Sequence, residues 1–157
     1  MNLAEYLFTV AVGYDRTEGL SSPTQLLLRG ASQHIDEHVP GGIAVRGSGG
    51  QGNTAQIPWV AFLDPDETET PTEGVYLVYL FSSDLERVYL SLNQGVSKLR
   101  EDFGIPEARA RLAHKATQIR SRLPASLFLA WTTPLIWGEA AGCRVHTRLA
   151  TLPLDAI

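Results

Sequence analysis

The chain has 157 residues, 44% of them hydrophobic, and a net charge of −4. That is the size of one ordinary domain with enough apolar side chains for a single core, and no stretch reaches the roughly 18 apolar residues that a membrane span requires. The early charges Glu5, Asp15, Arg16 and Glu18 do not form a basic secretory leader, and the single cysteine, Cys143, excludes an internal disulfide or a cysteine-rich zinc site.

The expectation is therefore one cytoplasmic domain spanning residues 1–157, with Cys143 as a small buried apolar residue. Leu3, Tyr6, Leu7 and Val10 recur at helical spacing and predict a first helix up to about Val12. Ser21 or Ser22 as N-cap and Pro23 in the first turn announce a second, running through Leu26, Leu27 and Ile35 until Pro40-Gly41-Gly42 stops it. Ile43-Ala44-Val45 reads as a strand feeding the loop Arg46-Gly47-Ser48-Gly49-Gly50-Gln51-Gly52-Asn53. A second apolar run follows, Ile57 to Leu63, with Pro58 at its start or edge.

Gly74 to Phe81 and Arg87 to Leu92, rich in Val, Tyr and Leu, flank Ser82 to Glu86 and predict a β-hairpin. Pro106 to Leu123 predicts a long amphipathic helix with Ala108, Leu112, Ala116, Ile119 and Leu123 on one face. The segments Leu127 to Trp131, Leu135 to Trp137 and Arg144 to Leu149 are strand-like but poorly patterned. The fold class is α/β in the mixed α+β sense, a mostly antiparallel central sheet flanked by helices.

The acidic balance argues against a broad phosphate-binding surface, but the charges are unevenly spread. Asp64, Asp66, Glu67, Glu69 and Glu73 form a stretch without Lys or Arg, whereas Lys98 to Arg122 holds seven basic residues against three acidic ones. The acidic stretch reads as a solvated loop. The basic set is either solvated helix surface or a face for phosphates.

Three enzyme-like patterns need weighing. His34-Ile35-Asp36-Glu37-His38 has the H-x-x-E-H spacing of inverted zinc peptidases, but Val39-Pro40 ends the helix at once and no third protein ligand is nominated. Gly47, Gly49 and Gly52 fit the dinucleotide fingerprint, yet a strand follows where a helix must open, and Asn53 stands where a P-loop needs Lys. Pro65-Asp66 lacks the acidic-x-Lys triplet of a restriction-type metal centre. No catalytic residue, metal or cofactor is expected. The glycines instead suit a backbone that approaches a ligand closely, with Trp59, Tyr76 and Tyr79 on neighbouring strands, although on spacing alone these aromatics read more readily as core.

Gly47-Ser48-Gly49-Gly50-Gln51-Gly52-Asn53, Ile57-Pro58-Trp59 to Leu63, Gly74-Val75-Tyr76 to Phe81, and Val88-Tyr89-Leu90-Ser91-Leu92-Asn93-Gln94-Gly95-Val96 occur together in order. This core, residues 43–97, resembles the N-terminal DNA-binding domain of McrB-type modification-dependent restriction proteins. The resemblance implies a reader of double-stranded DNA that rotates 5-methylcytosine, and often 5-hydroxymethylcytosine, into a pocket. It also implies that cutting falls to a fused or partner nuclease, with this module at the N-terminus of a larger protein. Carried over, Trp59 is one face of the sandwich around the base, Leu80 the opposing apolar face and Tyr76 a pocket wall. Backbone groups around Ser48, Gly49, Gly50, Gly52 and Asn53 read the Watson–Crick edge, with Arg46, Arg29 or the basic helix meeting phosphates. Gln51 stands where the best-known member has tyrosine, so it lines the pocket, fills the gap left in the duplex, or does neither. The alternatives from other classes are a zinc hydrolase using His34, Glu37 and His38, or a protein-interaction module.

Overall fold

The computed structural model describes residues 1–35, 39–124, 135–136 and 144–147. Helix α1, Leu3–Gly13, opens in a capping box: the Asn2 side chain accepts from the Glu5 amide at 2.8 Å, and the Glu5 carboxylate accepts from the Asn2 amide at 3.0 Å. Ser22 caps α2, Pro23–Arg29, with Pro23 in its first turn. The expected single helix from Ser22 to Ile35 is two, because Gly30 caps α2 in a non-helical conformation (φ −87°, ψ 18°) and α3 restarts at Ala31–Ile35. Glu37 and His38 of the zinc-peptidase-like pattern lie outside the described residues.

Four strands follow in antiparallel succession: β1 (Ala44–Ser48), β2 (Trp59–Leu63), β3 (Val75–Phe81) and β4 (Arg87–Gln94). β1 extends further than the sequence suggests, so Arg46, Gly47 and Ser48 are strand residues and the loop proper begins at Gly49. The hairpin between β3 and β4 is as expected, with Phe81 opposite Val88. Its turn is fastened by Ser82 and Arg87 and by Asp84, whose carboxyl is held below its usual range by the Ser82 hydroxyl and the Glu86 amide. Helix α4, Ser97–Arg122, begins earlier than Pro106 and is broken at Gly104 (φ 73°, ψ 169°), just ahead of that proline. Strand β6 (Arg144–Thr147) lies parallel to β4, and β5 (Leu135–Ile136) pairs with β6, giving the order β1-β2-β3-β4-β6-β5. The arrangement is α+β: an antiparallel four-stranded unit with helices, extended by this pair.

Strand alternation divides the sheet into two chemistries. On one face Val45, Val60, Phe81 and Val88 pack against Tyr6, Leu7, Val10, Ala11 and Tyr14 of α1 and its C-cap, Leu28 of α2, and Ala31 and Ile35 of α3. Phe62 and Tyr79 join this core, edge to face at 5.8 Å. On the other face Ala61, Leu63 and Val78 are buried and Trp59, Tyr76 and Leu80 pack around them. Tyr79 is therefore a core residue on the helical side, one position out of phase with Tyr76 and Leu80. The basic residues of α4 meet the acidic stretch directly, with Lys98 on Glu73 at 2.8 Å and Lys115 on Glu67 at 3.3 Å; Arg111 pairs with Glu107 within the helix at 2.8 Å. All are exposed pairs of small energetic weight.

The helical layer approaches β1 so closely that a Cβ on Gly47 would stand 2.1 Å from the Leu28 carbonyl oxygen. Gly47→Ala is expected to cost about 3 kcal/mol or more in urea unfolding, since backbone must give way. Gly19→Ala, where a Cβ meets nothing within 4 Å, should stay within about 0.5 kcal/mol of the parent. Equal midpoints for the two variants would show that the helices do not seat on β1 as described.

Candidate functional site

The site is built where the β1–β2 loop returns to the sheet. Ser48 closes β1 directly opposite Trp59, which opens β2, and Trp59 in turn stands opposite Leu80 on β3. Four residues along the same face of β3, about 13 Å away at the rise of a strand, sits Tyr76. Between them lies a cavity of about 310 Å³ that is open on one side. Ile57, Trp59 and Leu80 form its near end, Val78 its floor, and Pro71, Tyr76, Asn93 and Val96 its far end. Val78 is buried, while Trp59, Tyr76 and Leu80 are each half-buried, so they offer surface to a ligand without leaving the sheet.

The far end is the polar one. Ser91, itself buried, donates its hydroxyl to Asn93 Oδ1 at 3.0 Å. Asn93 in turn hydrogen-bonds Tyr76, whose phenol is pushed above its ordinary pKa by burial, with the Asn93 bond acting in the opposite direction. Gln94 ties this end of β4 to α4 through Nε2 to the Leu112 carbonyl at 3.1 Å, and its Oε1 is buried without a partner among the described residues.

The glycine loop is held from beneath. The Gly49 carbonyl accepts from the Ala55 amide at 2.7 Å, from Gln25 Nε2 at 2.9 Å and from Tyr14 Oη at 2.8 Å. Tyr14 Oη is also 2.9 Å from the Ala55 carbonyl, so its one proton can serve either side of the loop's neck. Burial pushes the Tyr14 phenol up in pKa, and the Gln25 bond opposes this. Arg16 grips the Gln56 carbonyl at 2.9 Å and the Ser83 carbonyl beside it, joining the loop's return to the β3–β4 turn.

Each residue nominated from the sequence can now be placed. Trp59, Tyr76 and Leu80 come together at the cavity. Gln51, Gly52 and Asn53 form the exposed tip of the loop, and Gln51 is not among the residues lining the cavity. Gly49 is buried in the neck, where a Cβ would lie 2.4 Å from Gln25 Oε1; its lack of a side chain serves packing on α2. Gly50 and Gly52 carry the positive φ that turns the tip, and Ser48 Oγ accepts from the Gly50 amide at 3.2 Å. Arg46 is exposed on the cavity's side of the sheet, opposite Ala61. His34 lies exposed beside the Tyr6 ring, and among the described residues no three His, Cys, Asp or Glu gather as metal ligands.

Sequence reasoning missed Tyr14 and Gln25. Nothing local marks them, because their role exists only once α1, α2 and the loop have met 24 to 41 residues apart.

A sheet whose one face packs against helices and whose other face carries an aromatic-lined cavity beside a pinned glycine loop has the features of a ligand-binding module. Residues 21–135 match the family described as MrcB-like, N-terminal domain, and the chain belongs to that family. Membership brings a DNA-binding role in McrB-type restriction. No curated protein and no solved structure matches the chain. No helix among the described residues is long and apolar enough to cross a membrane.

Tyr14→Phe is expected to lower stability by about 1–2 kcal/mol, the cost of a buried acceptor losing a donor. Amide exchange at Ala55 should quicken more than at the β3–β4 amides. Unchanged exchange at Ala55 would mean that the loop's neck is held by something other than this hydroxyl.

Proposed function

We propose that this domain binds double-stranded DNA carrying 5-methylcytosine, and 5-hydroxymethylcytosine as well, by rotating the modified base into the cavity beside Trp59. In doing so it directs a fused or associated nuclease to the site. The observation that carries this reading is the convergence of Trp59, Tyr76 and Leu80, from two strands, on one cavity next to the glycine loop.

The dimensions support it. At about 310 Å³ the cavity sits at the small end of ligand pockets, which run from about 300 to 1,000 Å³, and suits one flat ring and a substituent. The indole of Trp59 and the Leu80 side chain rising beside it supply the apolar surfaces for that ring. Stacking returns about 1–3 kcal/mol against an extrusion cost of a few kcal/mol, and free backbone groups of the loop contribute the rest. Burying one methyl adds about 0.8 kcal/mol, so preference for methylated over plain cytosine is modest in origin and depends on a well-shaped cavity.

The electrostatics are compatible with DNA despite the net charge of −4. Arg46 is exposed on the cavity side, and the acidic stretch is partly neutralised by Lys98 and Lys115. Those two pairings leave α4 a reduced positive face, so phosphate contacts are few.

Trp59→Ala is expected to abolish the preference for methylated over plain duplex in gel-shift titrations, with circular dichroism confirming the fold. A folded variant that keeps the preference would remove the cavity from the reading. The log–log salt dependence of duplex binding should be shallow, about −2 to −4, because each neutralised phosphate contributes about −0.9. A slope near −8 would instead show a broad basic footprint and displace the cavity as the main source of affinity.

A further inference from the structure

The β1–β2 ladder ends at the Ser48–Trp59 pair, and Pro58, just before it, has no N–H with which to extend the pairing. The return of the glycine loop, Ala55 to Ile57, is held instead by side chains that follow α1. The Tyr14 hydroxyl lies 2.9 Å from the Ala55 carbonyl. Two residues on, the Arg16 guanidinium takes the next carbonyl along the chain, that of Gln56, through Nε at 3.3 Å and Nη2 at 2.9 Å.

Arg16 is itself set up for this contact. Asp15 accepts from both the amide and the hydroxyl of Thr17 at 2.7 Å, which fixes the turn that carries Arg16. Nη2 also donates to the Ser83 carbonyl, in the turn between β3 and β4. One planar fork thus fastens the return of the loop to the turn that follows the strand bearing Leu80. One residue beyond Ile57, the Pro58 carbonyl accepts from the Phe81 amide at 3.1 Å. Ile57, which lines the near end of the cavity with Trp59 and Leu80, therefore stands between two holds, one of them Arg16.

We propose that Arg16 is a positioning residue for the cavity: its fork holds Ile57 in place as a wall at the Trp59 and Leu80 end, and it acts on the bound base through that wall and not by meeting a phosphate. The inference rests on the base-flipping reading above. The guanidinium is engaged by two carbonyls within the protein, so its donors are committed before DNA arrives. A gap of about 0.5–1 Å between wall and ring removes about a quarter to a half of each contact, and a displaced wall is expected to weaken binding about fivefold.

The test is a double-mutant cycle with Trp59, read as affinity for one methylated duplex, with the salt dependence measured on the same duplex and circular dichroism confirming the fold. Arg16→Ala should weaken binding about fivefold in the parent but less than about twofold in the Trp59→Ala background, where no indole remains for the wall to hold a base against. The log–log salt slope should stay where it is. Arg16→Lys keeps the charge but offers one nitrogen in place of the fork; it should weaken binding in the same way, and it serves as the test variant if the alanine form does not fold. No loss in Arg16→Ala, the same loss in both backgrounds, a slope shallower by about 0.9, or full affinity in Arg16→Lys overturns the inference and leaves base flipping in place. If folded Trp59→Ala binds methylated and plain duplexes as the parent does, the base-flipping reading falls and this inference with it.

Discussion

Three donors converging on the Gly49 carbonyl hold the rest of the site in place. A glycine-rich loop is costly to order, since its backbone has the most freedom to lose. Here the cost is met at the neck, where Tyr14 and Gln25 reach from the helical layer and the Ala55 amide closes the loop on itself. The tip is left exposed while its two ends are fixed, so Ile57 and Trp59 emerge at a defined place on the cavity rim. The core beneath β1 and the pocket on the other side of the sheet are thus coupled through one peptide group.

Legibility in the sequence followed the range of the interactions. The β3–β4 hairpin, the Ser22 cap and α1 are local features, governed by periodicity and capping, and they stand where the residues place them. Trp59, Tyr76 and Leu80 were nominated by resemblance and do share a cavity. The failures are all tertiary. Gly30 divides a helix whose apolar spacing looks continuous. Tyr79, an aromatic three residues from Tyr76, does belong to the core, but only strand parity tells it apart from Tyr76. Gly47 and Gly49 looked like an opening for a ligand, yet they are spaces filled by α2, whose Leu28 and Gln25 lie about 20 residues upstream. A glycine that admits a neighbouring helix and one that admits a ligand are indistinguishable in one dimension.

Charge shows the same limit. The acidic run from Asp64 to Glu73 and the basic run of α4 read as independent surfaces, but Glu67 meets Lys115 and Glu73 meets Lys98. These exposed pairs add little stability. They do set what field a polyanion encounters, by placing carboxylates among the cations of that helix. The acidic composition therefore says less about DNA than the placing of single cations such as Arg46, exposed on the cavity's side of the sheet.

The alternation along β3 has an evolutionary consequence. Tyr76, Val78 and Leu80 face the cavity, while Tyr79 and Phe81 face the helical core. Tyr76 and Leu80 are half-buried and bear on the shape of the cavity, while Val78 between them stays with the buried core. A lineage can reshape the cavity by substitution at the Tyr76 and Leu80 codons. It keeps the intervening ones, and with them the scaffold, untouched.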